Sequence, residues 1–329
     1  MDSSKNKPLT YCFGPVPSRR LGLSLGVDIL PHKVCNLDCI YCELGPTLQK
    51  TCKKDRYRPI EPIQEELEGL LKRGIHFDTL TITASGEPTL HEDLGRLVSF
   101  AKDVLKIGRL ALLTNATLLS DPDVRNAVAQ TDILLPSLDA ARETSFRRVN
   151  RPCQELSIQR IIQGLHDLQL EYKGSMWLEV LLVKGINDAP EDIDALKQAV
   201  NFIQPAKVQL NTVNRPPAVE WAKPLFLQEL QAIQGALGGN TEIIADFRIK
   251  ERGPAVWTAG DISAMLTRRP MDIHALMSVT QLDSKTLKDM LQDMEDTGML
   301  QRRILEGKTF YFISNSAELP RRPVDASQQ

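Results

Sequence analysis

A chain of 329 residues with 42% hydrophobic and 25% charged residues is long enough for one large α/β domain and a smaller one, and its net charge of −2 exerts no global pull toward nucleic acid. Six cysteines are too few for a secreted disulfide framework and imply a reducing compartment, the cytoplasm. The first residues lack the apolar stretch of a signal peptide and no run approaches about 18 apolar residues, so a soluble protein with no membrane partner is expected.

Short apolar runs alternate with helical patterns along the first three-quarters of the chain. Strands are predicted at 23–30, 79–84, 109–114, 132–138, 177–183 and 207–211. Most are continuous Val/Ile/Leu-rich runs, which suits parallel strands covered on both faces. Helices are predicted between them at 63–72, 94–105, 121–129, 156–170, 191–203 and 225–237. Leu94, Leu97, Val98, Ala101, Val104 and Leu105 illustrate the spacing, and Asp121-Pro122 and Asp188–Pro190 offer cap-like starts. Six strand–helix units point to a parallel α/β fold, short of the eight a closed barrel needs, with a doubly wound open sheet as the alternative.

The last part of the chain differs. Stretches 261–266, 274–278 and 284–297 read as short helices, and 301–305 with 308–313 as a hairpin turned by Glu306-Gly307. This pattern resembles a winged-helix domain, in which the third helix enters the DNA major groove. Here that helix carries Asp283, Asp289, Asp293, Glu295 and Asp296 against Lys285 and Lys288, which opposes phosphate contact. A protein-contacting or substrate-presenting role is therefore preferred, although Arg302, Arg303 and Lys308 on the wing fit the DNA reading. The expected division is 1–250 for the α/β domain, 251–260 for a linker, 261–315 for the winged-helix-like domain and 316–329 for a disordered tail.

The chemistry concentrates in the run Lys33-Val-Cys-Asn-Leu-Asp-Cys-Ile-Tyr-Cys-Glu-Leu-Gly45, a C-x3-C-x2-C loop after the first strand. Three thiolates on one loop can ligate three irons of a cubane cluster that usually takes four, leaving one iron open to a small molecule. The same cysteines with Cys52 or His32 could instead build a zinc site. Zinc sites, however, usually pair two C-x2-C knuckles or add paired histidines, whereas His32, His76, His91, His166 and His274 are scattered.

With Tyr41 just before its last cysteine, the loop resembles the signature of the radical S-adenosylmethionine (SAM) enzymes, and the likeness covers roughly residues 11–215. It implies an open partial (β/α)6 barrel, a 4Fe–4S cluster on Cys35, Cys39 and Cys42, and SAM bound at the open iron. An external one-electron reductant of flavodoxin or ferredoxin type would drive cleavage to a 5′-deoxyadenosyl radical that takes hydrogen from the substrate. The Ser85-Gly86-Glu87-Pro88 run resembles the family's Gly-Gly-Glu motif, which holds the SAM ammonium, with serine in place of the first glycine; an ordinary strand–helix turn is the plainer reading. Tyr41 corresponds to the residue that leans on the adenine. Asn115, Ser137 and Asp139 lie where the family contacts SAM or substrate, and each could equally cap the next helix. Asn187 is consistent with a plain turn.

Two stretches address the substrate. Residues 13–28 resemble a branch that includes the tRNA wyosine-synthesis enzymes and many members of unassigned reaction, which makes RNA-base modification the runner-up activity. Those enzymes carry a second cluster on three further upstream cysteines, and only Cys12 lies upstream here. Asn150-Arg-Pro152 and Asn214-Arg-Pro216 echo each other after two strands, so Arg19, Arg20, Arg151 and Arg215 as a group point to an anionic substrate, though any one alone reads as a surface arginine. Cys153 is an inert buried thiol or a hydrogen-atom donor. The reading from another class is a zinc-stapled winged-helix regulator without turnover.

Overall fold

The computed structural model describes residues 9–18, 20–244, 259–268, 270–280, 282–305 and 307–313. Arg19, Glu306, positions 251–258 of the expected linker and the expected tail at 316–329 lie outside the described residues.

Strands β1 (Cys12–Ser18) and β2 (Gly22–Asp28) form an antiparallel hairpin, with Ser18 opposite Gly22. The two-residue strands β3 (Val34–Cys35) and β4 (Gln49–Lys50) pair in parallel across the cysteine loop. Then come α1 (Glu61–Lys72), β5 (Thr79–Thr83), α2 (Leu94–Ser99), β6 (Leu110–Thr114), α3 (Pro122–Val128), β7 (Ile133–Pro136), α4 (Glu143–Asn150) and α5 (Ile158–Glu171). The α/β part ends with β8 (Ser175–Leu182), α6 (Pro190–Ile203), β9 (Lys207–Thr212), α7 (Leu227–Leu237) and β10 (Thr241–Ile243).

One eight-stranded sheet runs in the order β1-β2-β5-β6-β7-β8-β9-β10, parallel throughout except at β1–β2. Each parallel strand adds on the same side of the last, so the order never reverses. A doubly wound sheet needs such a reversal, and that alternative is excluded. β1 and β10 end the sheet without pairing to each other, so it stays open.

Side-chain alternation divides the sheet's faces. Leu110, Leu112 and Leu134 join the main core under the helices, while Ala111, Ile133 and Leu135 pack with Leu21 on the other face. On β8, buried Met176, Leu178, Val180 and Leu182 alternate with half-buried Trp177, Glu179 and Leu181. The second set faces the concave side, where the site lies.

All six predicted strands are present within a few residues. Asp121 caps α3 by accepting from the Asp123 N–H, with Pro122 at the first helical position. At α6 the cap is Ala189, and Asp188 instead accepts from the Gly185 N–H inside the preceding turn. The predicted helix at 94–105 changes after Ser99 into a π turn, Phe100–Val104.

The C-terminal elements are α8 (Ala259–Arg268), β11 (Met271–Asp272), α9 (Ile273–Thr280), α10 (Ser284–Asp296), β12 (Leu300–Leu305) and β13 (Lys308–Ile313). Their core is built from Ile262, Met265, Leu276, Leu287, Leu291 and Met294, and Val16 of β1 is buried in the same cluster. The edge strand thus fastens this helix–sheet unit to the α/β part. Among the described residues no helix is long and apolar enough to cross a membrane.

Candidate active site

Every chemistry-bearing loop leaves the carboxyl end of a parallel strand, and the structure locks two of them together. The Lys33 N–H donates to the Ser85 carbonyl, and the Glu87 N–H donates to the Val34 carbonyl at 3.1 Å. Gly86 lies between these bonds. A Cβ there would sit 1.7 Å from the Val34 carbonyl oxygen, so no other residue permits this approach. Ser85 is turned inward, donating from its amide and hydroxyl to the Asp28 carboxylate at 2.9 and 2.6 Å.

Each cysteine sulfur meets an N–H donor. Asn115 Nδ2 reaches Cys35 Sγ at 3.7 Å, Asn150 Nδ2 reaches Cys39 Sγ at 3.3 Å, and Lys33 Nζ reaches Cys42 Sγ at 3.1 Å. Burial pushes the Cys35 thiol up to about 12, and burial with the nearby Asp139 carboxyl holds the Cys39 thiol well above its ordinary value. Burial works to lower the Lys33 ammonium, but Cys42 and its fellow cysteines raise it on balance. Thiolates in such a place need a compensating cation, which is what a metal ligand set requires.

A single zinc, at about 2.3 Å from each sulfur, draws its thiolates to within about 4 Å of one another. Among the described residues, the group of three His, Cys, Asp or Glu side chains that converges within 4.8 Å is Cys52, Cys153 and Glu155, not the loop cysteines. Three thiols on one loop, each met by an N–H donor, are a donor set that suits an iron–sulfur cluster.

Behind the loop, two buried carboxylates brace it. Glu87 Oε1 accepts from the Thr89 N–H, the Thr89 hydroxyl and the Thr114 hydroxyl, while Oε2 accepts from the Asn115 N–H. Burial raises its pKa against those bonds. These bonds tie the 85–88 turn, through Glu87, to the end of β6.

Asp139 accepts from the Tyr41 hydroxyl, Asn150 Nδ2 and the Leu181 N–H. Burial lifts this carboxyl to about 6 although all three bonds pull it down. Asn187, expected as a turn residue, is fully buried, accepts from the Val183 N–H and donates to the Asp139 and Leu181 carbonyls.

A cavity of about 700 Å³ opens beside the loop, lined by Lys33, Cys35, Tyr41, Cys42 and Gly86. The lining also includes Glu43, next to Cys42 on the loop, with Arg20, Glu179, Asn211 and Arg215, and His274, Ala275 and Val279 of α9. Asn115, Ser137 and Asp139 line a separate recess of about 40 Å³, and Tyr41 borders both spaces.

Of the described arginines in the expected group, two line the cavity and one does not. Arg20 pairs with Glu179 and Arg215 with Glu43 on the cavity wall, whereas Arg151 is absent from that lining and its guanidinium lies 5.9 Å over the Trp221 ring. In the Asn150-Arg-Pro152 motif it is Asn150 that reaches the site. Cys153 lines neither space. Sequence reasoning missed Lys33, Asn36 and Asn150. Lys33 opens the cysteine run, and Asn36, which accepts from Asn115 and donates to Thr117, lies inside it.

The family model described as the Radical SAM superfamily matches residues 29–197. A protein of Brachyspira hyodysenteriae named GTPase Obg is 33% identical over 92% of this chain, which spans 45% of that protein's length, less than half. The UPF0026 protein MJ1312 of Methanocaldococcus jannaschii is 31% identical, covering 92% of this chain and 96% of its own. Among solved structures, a radical SAM methyltransferase from Sphaerobacter thermophilus aligns with a TM-score of 0.53 over 73% of this chain and 69% of its own, at 17% identity, a likeness of fold.

Proposed function

The chain belongs to the radical SAM superfamily and is an enzyme of that class, and from that premise we propose that its 700 Å³ cavity holds SAM beside a small anionic substrate. Enzymes of this family use a 4Fe–4S cluster and SAM, which together supply reductive SAM cleavage and hydrogen abstraction from the substrate. Cys35, Cys39 and Cys42 would hold the cluster. Asn115, Asn150 and Lys33 direct hydrogen bonds at the sulfurs, stabilising thiolates and shifting the potential at which an electron arrives. We assign delivery of that electron to a flavodoxin- or ferredoxin-type protein.

Gly86 presents its backbone to the cavity beside Tyr41, and these two are our candidates for contact with SAM. The recess lined by Asn115, Ser137 and Asp139 is better read as the brace that fixes Tyr41. Arg215 or Arg20 would exchange its carboxylate partner for a substrate carboxylate or phosphate. We read the C-terminal unit as winged-helix-like and as a substrate-presenting module, because α9 lines the cavity while the exposed face of α10 carries Asp289, Asp293 and Asp296.

The observation that carries the proposal is three loop thiols that each meet an N–H donor, two of which, Cys35 and Cys42, line a cavity that Arg20 and Arg215 line as well. Anaerobically reconstituted protein, reduced with dithionite, should convert SAM to 5′-deoxyadenosine, and SAM should perturb the paramagnetic spectrum of the reduced cluster. A spectrum indifferent to SAM would overturn the assignment. A rise in deoxyadenosine on adding tRNA, with none on adding small anions, would move the substrate to RNA.

A further inference from the structure

Outside the cavity lining, two more thiols meet. Cys52 lies two residues beyond β4, and Cys153 lies on the turn between α4 and α5. Their sulfurs and a Glu155 carboxylate oxygen all fall within 4.8 Å of one another. Both cysteines are free thiols, and neither borders the cavity. Glu155 is exposed and forms no ion pair within 4 Å among the described residues, so its carboxylate is available to a ligand at the two thiols.

The backbone around this triad is fixed. The Cys153 N–H donates to the Asn36 carbonyl at 3.0 Å, and the Thr51 N–H donates to the Cys35 carbonyl at 3.0 Å. Arg147 holds the Cys153 and Leu156 carbonyls at 3.1 and 2.7 Å. Three ligand atoms on braced chain segments form a preorganised site rather than a chance approach of mobile side chains.

We propose that Cys52, Cys153 and Glu155 form a second metal site, separate from the cluster, that takes one zinc-class divalent cation through two thiolates and a carboxylate and leaves a fourth position to water. Two sulfurs and one oxygen at this separation match the tetrahedral preference and borderline softness of zinc, and the open fourth position suits three protein ligands. Binding releases the two thiol protons to solvent, and no change of oxidation state is involved. A cation here ties the segment after β4, the strand paired with Cys35, to the turn that follows Asn150, clamping the cysteine loop.

The test uses the full chain with its cluster reconstituted anaerobically, dialysed against zinc and washed. We expect about one zinc per chain by elemental analysis, and a zinc absorption-edge spectrum with two sulfur and two oxygen neighbours. Glu155→Gln, on an exposed side chain that folding does not need, should weaken zinc binding about 10-fold, and Cys52→Ser about 100-fold or more with iron content unchanged, judged against the 10–100-fold effects of supporting residues at metal sites. The proposal is overturned if zinc persists in a Cys52→Ser/Cys153→Ser double variant, if it is lost instead in Cys39→Ala, or if wild type holds no more zinc than the double variant. A Cys52–Cys153 disulfide in anaerobically purified protein would overturn it as well.

Discussion

On the cysteine side of the cavity the polar side chains bond to one another: Glu87 accepts from four donors, Asp139 from three, and each cysteine sulfur faces an N–H. Elsewhere on the lining Arg20 pairs with Glu179, which also accepts from Asn211, and Arg215 pairs with Glu43 of the cysteine loop, the second pair with side chains 24% and 32% exposed. The energetics differ accordingly. Removing a partner from a buried hydrogen-bonded carboxylate costs about 1–3 kcal/mol, while a partly exposed ion pair contributes about 0–1 kcal/mol. The buried carboxylates are thus held fixed, while Arg215–Glu43 is the weaker contact, the one we propose gives way to a substrate anion. That is the division expected between a constant cofactor and a substrate that must enter and leave.

Cys39→Ala tests the fixed side most severely. With one of three ligands gone, 5′-deoxyadenosine formation should fall to the level of cluster-free protein and bound iron should fall with it; wild-type yield in this variant would refute the ligand role. Next comes Gly86→Ala, whose added carbon meets the Val34 carbonyl at 1.7 Å. Separating the two loops should cost about 1–3 kcal/mol of stability and most of the reconstituted iron. Gly235→Ala is the control: it sits in α7 with open space around the new carbon, and should be neutral or stabilising by about 0.5–1 kcal/mol. Equal losses in both variants would remove the steric argument.

Much of the fixed side was legible in the sequence. The apolar runs located all six main parallel strands, and the cysteine spacing located the candidate ligands, because both signals are local. The elements that escaped have weak local signals. β1 reads Cys-Phe-Gly-Pro-Val-Pro-Ser, whose glycine and prolines argue against a strand, yet an edge position tolerates the missing N–H groups. In α4, Phe146 and Val149 are the apolar residues, and Ser145 and Asn150 are buried beside them through hydrogen bonds. Residue roles inside a motif were harder still. Sequence placed Arg151 and Glu87 at loops facing the site, but which way a side chain turns depends on partners far along the chain, such as Thr114 for Glu87 and Asp139 for Asn150.

Asn150→Ala probes that hidden layer with a smaller effect. It removes the donor shared by Cys39 Sγ and Asp139 without touching a ligand. The cluster should still assemble, with a shifted reduction potential and SAM cleavage reduced about 10–100-fold. An unchanged potential would show that the bond to sulfur carries no influence.

The same substitution made in each kind of contact gives the finest comparison. In Glu87→Gln the amide nitrogen cannot accept, so at least one of the Thr89, Thr114 and Asn115 donors is left facing it in a buried space, and unfolding free energy should drop by about 1–3 kcal/mol. In Glu43→Gln the charge pairing with Arg215 is lost where water reaches both groups, and stability should change by no more than about 0.5 kcal/mol. Denaturant unfolding of the two variants checks both values. Because Glu43→Gln leaves Arg215 without its carboxylate, phosphate should also protect that variant against thermal unfolding more than it protects wild type. Equal protection would mean that Arg215 does not exchange its partner for an anion, and the Arg215–Glu43 pair would then be as fixed as the buried carboxylates.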